Sequence, residues 1–353
     1  MSPRGGAKVT LTEPGTVVPG EATNNPDAMK KTSVITWKSA WMLGGICAGS
    51  LLAGAAPLQR AEVEANPAWV VHIDCDALRP TTIGKYILSV MDQPEAKAKL
   101  ASFQAVVEMD PRTQLHGATL YGSGPAAEAA VLILYADFDP EHLESLAKAA
   151  KDSRSSAHGD VKIYSWQDEN KPVTNGLQPR VYAAIQGKRV LFAQQEESIA
   201  RALDVLSGRT PNLASVAVFP ELGKPRAARF VEAAARKLAL PNSANPGAAI
   251  LKMAQSVQLG LGETQQQFTA ALTLVADNAE VSGQVLSIAQ GLLALVKLQA
   301  DKPEAGKLAN AINLVQTGDQ VEAKLRLPAA DVVDFMKADA ARKSAAAAKD
   351  SKN

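Results

Sequence analysis

The chain has 353 residues, a formal net charge of +1 at pH 7, 46% hydrophobic residues and only 5% aromatic ones. A near-neutral chain lacks the basic excess of a nucleic-acid binder, and the same balance argues against a polybasic membrane patch. What remains is a mixed-charge surface over an ordinary hydrophobic core, in a chain long enough to build one or two.

Residues 1–28 contain four prolines, several glycines and no apolar periodicity, and read as a disordered overhang or a mis-annotated start ahead of Met29. From Met29 the chain shows Lys30, Lys31 and Lys38, then an apolar run over residues 40–56 with small residues at Ala53 and Ala55. This is the layout of a secretory signal peptide over residues 29–55. Its core is shorter than the roughly 20 residues of a spanning helix, and glycines weaken it, so a cut after Ala55 is expected. Val63 and Ala65 offer a second cut site, and an uncleaved anchor is the structural alternative. Cleavage after Ala55 removes five basic and three acidic residues and leaves a net charge of −1. It also removes Cys47, so Cys75 is expected to stand alone as a small buried residue.

Beyond the leader, one module recurs: two short strands, a tight turn, then a helix. Residues 119–122 and 130–136 form one strand pair, followed by a helix opening at Asp139-Pro140-Glu141, a cap and a first-turn proline. Residues 180–186 and 189–194 flank Gly187-Lys188, a pair suited to a type II′ hairpin, and the next helix carries Ile199, Leu203 and Leu206. Residues 256–261 and 268–275 form a third pair; Asp277 is expected to cap its helix, which shows Val281, Val285, Ile288, Leu292 and Leu295. In the last copy Val321, Ala323, Leu325 and Leu327 alternate strictly with polar residues, the pattern of an antiparallel strand with one dry and one wet face. Its hairpin turn is Thr317-Gly318-Asp319, and its helix is expected to open at Pro328.

Each half also has a lead-in strand, expected at residues 68–74 and again at 215–219. The second is expected to be followed by an alanine-rich helix over 227–239 and a short helix near 248–254. The first half carries an extra strand at 161–166. The fold class expected is therefore α+β: antiparallel sheets with helices packed on one face, in two related halves built from repeated ββα units. The halves cover residues 67–210 and 211–340, and 341–353 reads as a disordered tail. Whether they share one sheet is not settled by pattern.

The phrases Val70-Val71-His72-Ile73-Asp74 through Thr82-Ile83-Gly84-Lys85, Met109-Asp110-Pro111, Phe138-Asp139-Pro140 and Leu325-Arg326-Leu327-Pro328-Ala329-Ala330-Asp331 resemble features of uncharacterised exported bacterial α+β proteins. The resemblance covers most of residues 67–337. It implies export and a duplicated fold, and it brings no activity and no binding residue with it.

The catalytic inventory is thin. His72, His116, His142 and His158 lack paired metal-ligand spacing; His72, inside a strand, is read as lying on its outer face. Asp74-Cys75-Asp76 and Asp137-Phe138-Asp139 both close a strand ahead of a helix, where capping accounts for them better than a cation does. No nucleophile elbow appears, and Gly260-Leu261-Gly262 leads into a strand rather than a helix N-terminus. Gln267, Thr269, Thr273, Glu322, Lys324 and Arg326 are expected on an outward, polar sheet face. No catalytic, cofactor-binding or metal-binding residue is assigned, and no cofactor. The leading expectation is a non-enzymatic protein of the periplasm or cell envelope that binds or scaffolds. Its partner is expected to be an envelope protein or polymer, with no nucleic acid and no membrane insertion once the signal is removed. Two alternatives stand beside it. One is a carrier of an apolar ligand in room left by the alanine-rich helix; the other is a hydrolase whose acids, Asp74, Asp76, Asp137 and Asp139, converge in three dimensions, with Asp76 and Asp137 in one pocket at raised pKa values.

Overall fold

A computed structural model of the chain describes residues 57–124, 127–173, 176–224, 229–236, 250–298 and 303–350. The expected overhang and signal peptide fall outside the described residues, as do residues 248 and 249 of the expected short helix, whose described part is helical over 250–252.

Among the described residues twelve strands form one continuous sheet, and every neighbouring pair is antiparallel. They are β1 (Trp69–Asp74), β2 (Leu115–Gly122), β3 (Ala130–Ala136), β4 (Arg154–His158), β5 (Val161–Gln167), β6 (Arg180–Gln186) and β7 (Arg189–Ala193). The second half adds β8 (Arg229–Arg236), β9 (Ala254–Thr264), β10 (Gln267–Ala276), β11 (Ile312–Thr317) and β12 (Gln320–Pro328). Their spatial order is β11-β12-β10-β9-β8-β1-β2-β3-β7-β6-β5-β4. Outward from the central β8–β1 pair the order runs β9-β10-β12-β11 on one side and β2-β3-β7-β6 on the other. The first half adds β5 and β4 at its edge.

Helices α1 (Cys75–Leu78), α2 (Thr82–Met91), α3 (Pro94–Val107) and α4 (Pro111–Gln114) connect β1 to β2. Later come α5 (Pro140–Ala149), α6 (Glu196–Leu206), α7 (Ala279–Lys297), α8 (Pro303–Ala311) and α9 (Ala329–Asp350). Short polar side chains start most of them by accepting otherwise orphaned N–H groups. Asp74 accepts from Ala77, Thr81 from Gly84, Asp110 from Arg112, and Asp139 from Glu141 and His142. For α7 the cap is Asn278, which accepts from Val281, rather than the expected Asp277. Pro328 closes β12, and α9 begins one residue later.

Paired residues in neighbouring strands share a sheet face, so the register assigns the cores. One core joins Val70, Val131, Ile133, Leu191 and Ala234 to Ile199, Ala202 and Leu203 of α6, with Val63, Leu213 and Phe219 from the segments on either side. The opposite face packs Ile73, Leu134, Val231, Leu261 and Leu325 under α1–α3 and α9. Farther along that same face, Leu274 and Val321 pack under Val285 of α7. Each fully buried Val, Leu or Ile here contributes roughly 1.5–3 kcal/mol. Helices thus lie on both faces, not on one as expected. The reason is α6: after β7 the chain turns to the face where the sheet of the first half is apolar.

Three further expectations need correction. The strand expected at 215–219 is absent, 213–215 being a 3-10 turn followed by irregular chain, and the alanine-rich segment expected as a helix contains β8. There Phe230, Glu232 and Ala234 are buried in alternation, and hydrogen bonding to β1 and β9 on both sides outweighs alanine's helix preference of well under 1 kcal/mol per residue. The tail expected beyond residue 340 continues α9 as far as Asp350. Cys75 is buried at 1% exposure, as expected; the chain's other cysteine, Cys47, lies outside the described residues.

Candidate functional site

The two Asp-x-Asp phrases meet at one end of the sheet. Asp76 lies in the first turn of α1, and Asp137 follows β3. Between them stands His116, the extra residue of a β-bulge where the pairing steps from Leu115↔Ala136 to Gly117↔Tyr135. A bulge re-aims a side chain out of the strand's alternation. Here it sets the ring Nδ1 3.0 Å from Asp76 Oδ2 and Nε2 3.0 Å from Asp137 Oδ2. Arg79 pairs with Asp76 and donates to the Leu115 carbonyl, while Lys188, in the β6–β7 turn, donates to Asp137 Oδ1 at 2.6 Å. The charges alternate along this ladder from the buried Arg79–Asp76 pair to the exposed Lys188.

The ladder's chemistry is that of a clamp. Two carboxylates on two ring nitrogens are satisfied together only by a doubly protonated imidazole, and neither nitrogen is left free to act on a substrate. The hydrogen bond from Lys188, and then that from His116, holds the Asp137 carboxyl below the usual carboxylate range. A hydrolytic acid needs the opposite shift, so the raised value expected for that alternative is not met at Asp137. Asp74 and Asp139 are helix caps. Among the described residues no group of three or more His, Cys, Asp or Glu side chains is arranged to hold a metal ion.

His72 is buried at 2% exposure, not on an outer face, because that side of β1 lies under α6 and the flanking segments. Its Nδ1 is 2.9 Å from the Thr119 hydroxyl, which is 3.3 Å from the Tyr135 hydroxyl; Tyr135 donates to Glu62 at 2.8 Å, and Arg189 donates to Glu62 at 2.6 Å. Burial pushes the Tyr135 hydroxyl well up, and the neighbouring Glu62 charge adds to the shift. A buried polar chain of this kind is stable because its members satisfy one another. His142 donates from Nε2 to the Val106 carbonyl at 2.8 Å, because a carbonyl oxygen can only accept. His158 pairs with Asp204 at 2.7 Å.

The polar surface expected on the second half is present as one face. Thr269 pairs with Arg326, Ala271 with Lys324 and Thr273 with Glu322, so these side chains project together. Across β9 the same face continues through Gly262, Gly260 and Gln258. The strands β9, β10 and β12 enter the hydrophobic clusters through residues of the opposite face, such as Val257, Leu261, Ala270, Leu274 and Leu325. A Cβ at Gly260 would come within 2.7 Å of the Arg229 guanidinium, which lies across the strand there.

Sequence reading missed Arg79, His116 and Lys188 as partners. They come from segments far apart in the chain, and the one local signal was the Leu115-His116-Gly117 break in alternation.

No protein-family model matches the chain, and no curated protein matches it in sequence. Among solved structures it is similar to crystal form III of TP0453, with a TM-score of 0.43 and 11% identity over 81% of this chain and 100% of that one. Crystal form IV gives 0.40 and 10% identity over 80% and 97% of the two chains, and form I gives 0.39 and 9% over 80% and 98%.

Proposed function

We propose that this is an exported protein of the cell envelope that works by binding or scaffolding, using the polar face of β9, β10 and β12 to receive a partner protein or an envelope polymer. The observation that carries this reading is the cluster of Thr269, Thr273, Glu322, Lys324 and Arg326 on one sheet face opposite the hydrophobic clusters. An antiparallel sheet tolerates one wet face, and a flat array of short and charged side chains offers hydrogen bonds without a cavity. The carrier alternative loses its premise, since the alanine-rich segment expected to leave room as a helix contains β8.

Export is part of the proposal, with the cut after Ala55. A cut after Ala65 would remove Leu58, Arg60 and Val63. Leu58 and Val63 belong to the core, and Arg60 donates to the carbonyls of Leu213, Val218 and Phe219 at 2.7, 3.0 and 2.6 Å. Duplication is proposed as well, on the repeated outward strand order.

The test is a double charge reversal, Lys324→Glu with Arg326→Glu. Both side chains are exposed, so stability should stay within roughly 0.5 kcal/mol of wild type. A partner recovered reproducibly from envelope extract by the wild-type chain should be lost by the variant. Equal recovery by both chains, or recovery of nothing, counts against the polar face as the binding surface. The mass of the exported chain reads the cut: an N-terminus at Ala56 is expected, and one at Asn66 contradicts it.

A further inference from the structure

Helix α7 carries no charged residue from Val281 to Val296, sixteen positions in all. By length and composition it is apolar enough to cross a membrane, yet 11% of it is buried. Its first half is seated on the sheet: Ser282 and Val285 are 0% and 1% exposed, and the Ser282 hydroxyl donates to the Gly318 carbonyl at 2.8 Å. Farther along, Ile288, Leu295 and Leu298 are 37%, 61% and 79% exposed. Spacings of seven and three put these three on one stripe of the helix, to one side of the docked stripe.

The residues beside that stripe are Gln284, Ser287, Gly291 and Ala294. A helix face that meets water is ordinarily charged, and a seam for a partner helix ordinarily has flanking charges that set register and orientation. Neither holds here. Apolar side chains flanked by small, uncharged ones suit hydrocarbon and its interface. The nineteen-residue helix spans roughly 28 Å, close to the roughly 30 Å hydrocarbon core, but one side of it is already held by the sheet. Lying along the bilayer is therefore favoured over crossing it.

We propose that Ile288, Leu295 and Leu298 dock this protein onto a lipid bilayer surface. Because α7 packs on the face carrying Leu274 and Val321, docking leaves the Thr269–Lys324 face turned away from the lipid. The contact is apolar rather than electrostatic, in keeping with a near-neutral chain, so it resists salt. It adds a peripheral attachment that charge balance alone does not reveal.

The experiment uses the full chain with vesicles of phosphatidylethanolamine and phosphatidylglycerol in equal amounts. An environment-sensitive dye on Ala294→Cys should shift to the blue when vesicles are added, at low and high salt alike. The double variant Leu295→Asp, Leu298→Asp should float with these vesicles roughly a hundredfold less well, with an unchanged circular dichroism spectrum and melting temperature. An unshifted dye, or equal flotation of the variant, overturns the proposal. So does a concentration-dependent dimer, seen without lipid by sedimentation and abolished in the variant, which would assign the stripe to self-pairing.

Discussion

Glu263, in β9, accepts the backbone N–H of Thr82 at 2.8 Å across 181 residues of chain. Its second oxygen accepts from Ile83 at 3.2 Å. A buried carboxylate from the second half thus satisfies the first turn of α2 in the first half, where the helix dipole also favours negative charge. Replacing Glu263 by Ala should destabilise the protein by about 1.5–3 kcal/mol, and Gln should recover part of that by keeping an acceptor. Urea denaturation measures both; an alanine variant with the wild-type midpoint would show that the joint carries no weight.

The Asp137 carboxyl is held below its ordinary value of 3.8 by Lys188 and His116. A group depressed in the folded state stabilises the fold above its unfolded pKa, and that stability is lost as pH falls through the folded value. Asp137→Asn should therefore be less stable than wild type at neutral pH, and the gap should close in the acid range below the ordinary carboxylate value. Melting temperatures across pH test this. A gap that stays constant with pH would mean the contact is not ionic.

Gly84 lies in the first turn of α2, where a Cβ would come within 2.1 Å of the Leu78 carbonyl oxygen and 2.8 Å of its carbon. Those are backbone atoms, which move only with α1. Alanine is ordinarily the better helix residue by roughly 1 kcal/mol, yet Gly84→Ala should lower the melting temperature, since overpacking costs about 1–3 kcal/mol. A raised melting temperature would contradict the close approach of α1 and α2.

Arg60 reaches the carbonyls of Phe219 and Leu222 with one guanidinium nitrogen and those of Leu213, Val216 and Val218 with the other. Arg60→Ala leaves these acceptors short of a donor and should cost roughly 1–3 kcal/mol, with Arg60→Lys recovering little because an ammonium cannot reproduce the fork. Proteolysis within residues 213–222 should accelerate in both variants. Wild-type protection in Arg60→Ala would show that the segment is held by Phe219 and Leu222 packing alone.

The strand pairs were legible where alternation was unbroken. Val321, Leu325 and Leu327 against Glu322, Lys324 and Arg326 announced β12 and its wet face, and Thr317-Gly318-Asp319 announced its turn. Asp139-Pro140 announced the start of α5. Legibility failed at β8, because Ala233, Ala234 and Ala235 carry no polarity contrast and alanine is indifferent to a buried strand. It failed again at His116, whose role follows from a bulge and from two aspartates 40 and 21 residues away.

The sequence by itself determined the α+β class, the hairpins and the start of α5, because side-chain alternation and capping act between residues a few positions apart. Only the tertiary structure decided that the two halves share one sheet joined through β1 and β8, that α6 crosses to the other face, and that Glu263 closes the start of α2. Those outcomes depend on backbone hydrogen bonds and apolar contacts between segments far apart in the chain. Such contacts are selected by the free energy of the whole assembly, which no short window of residues contains.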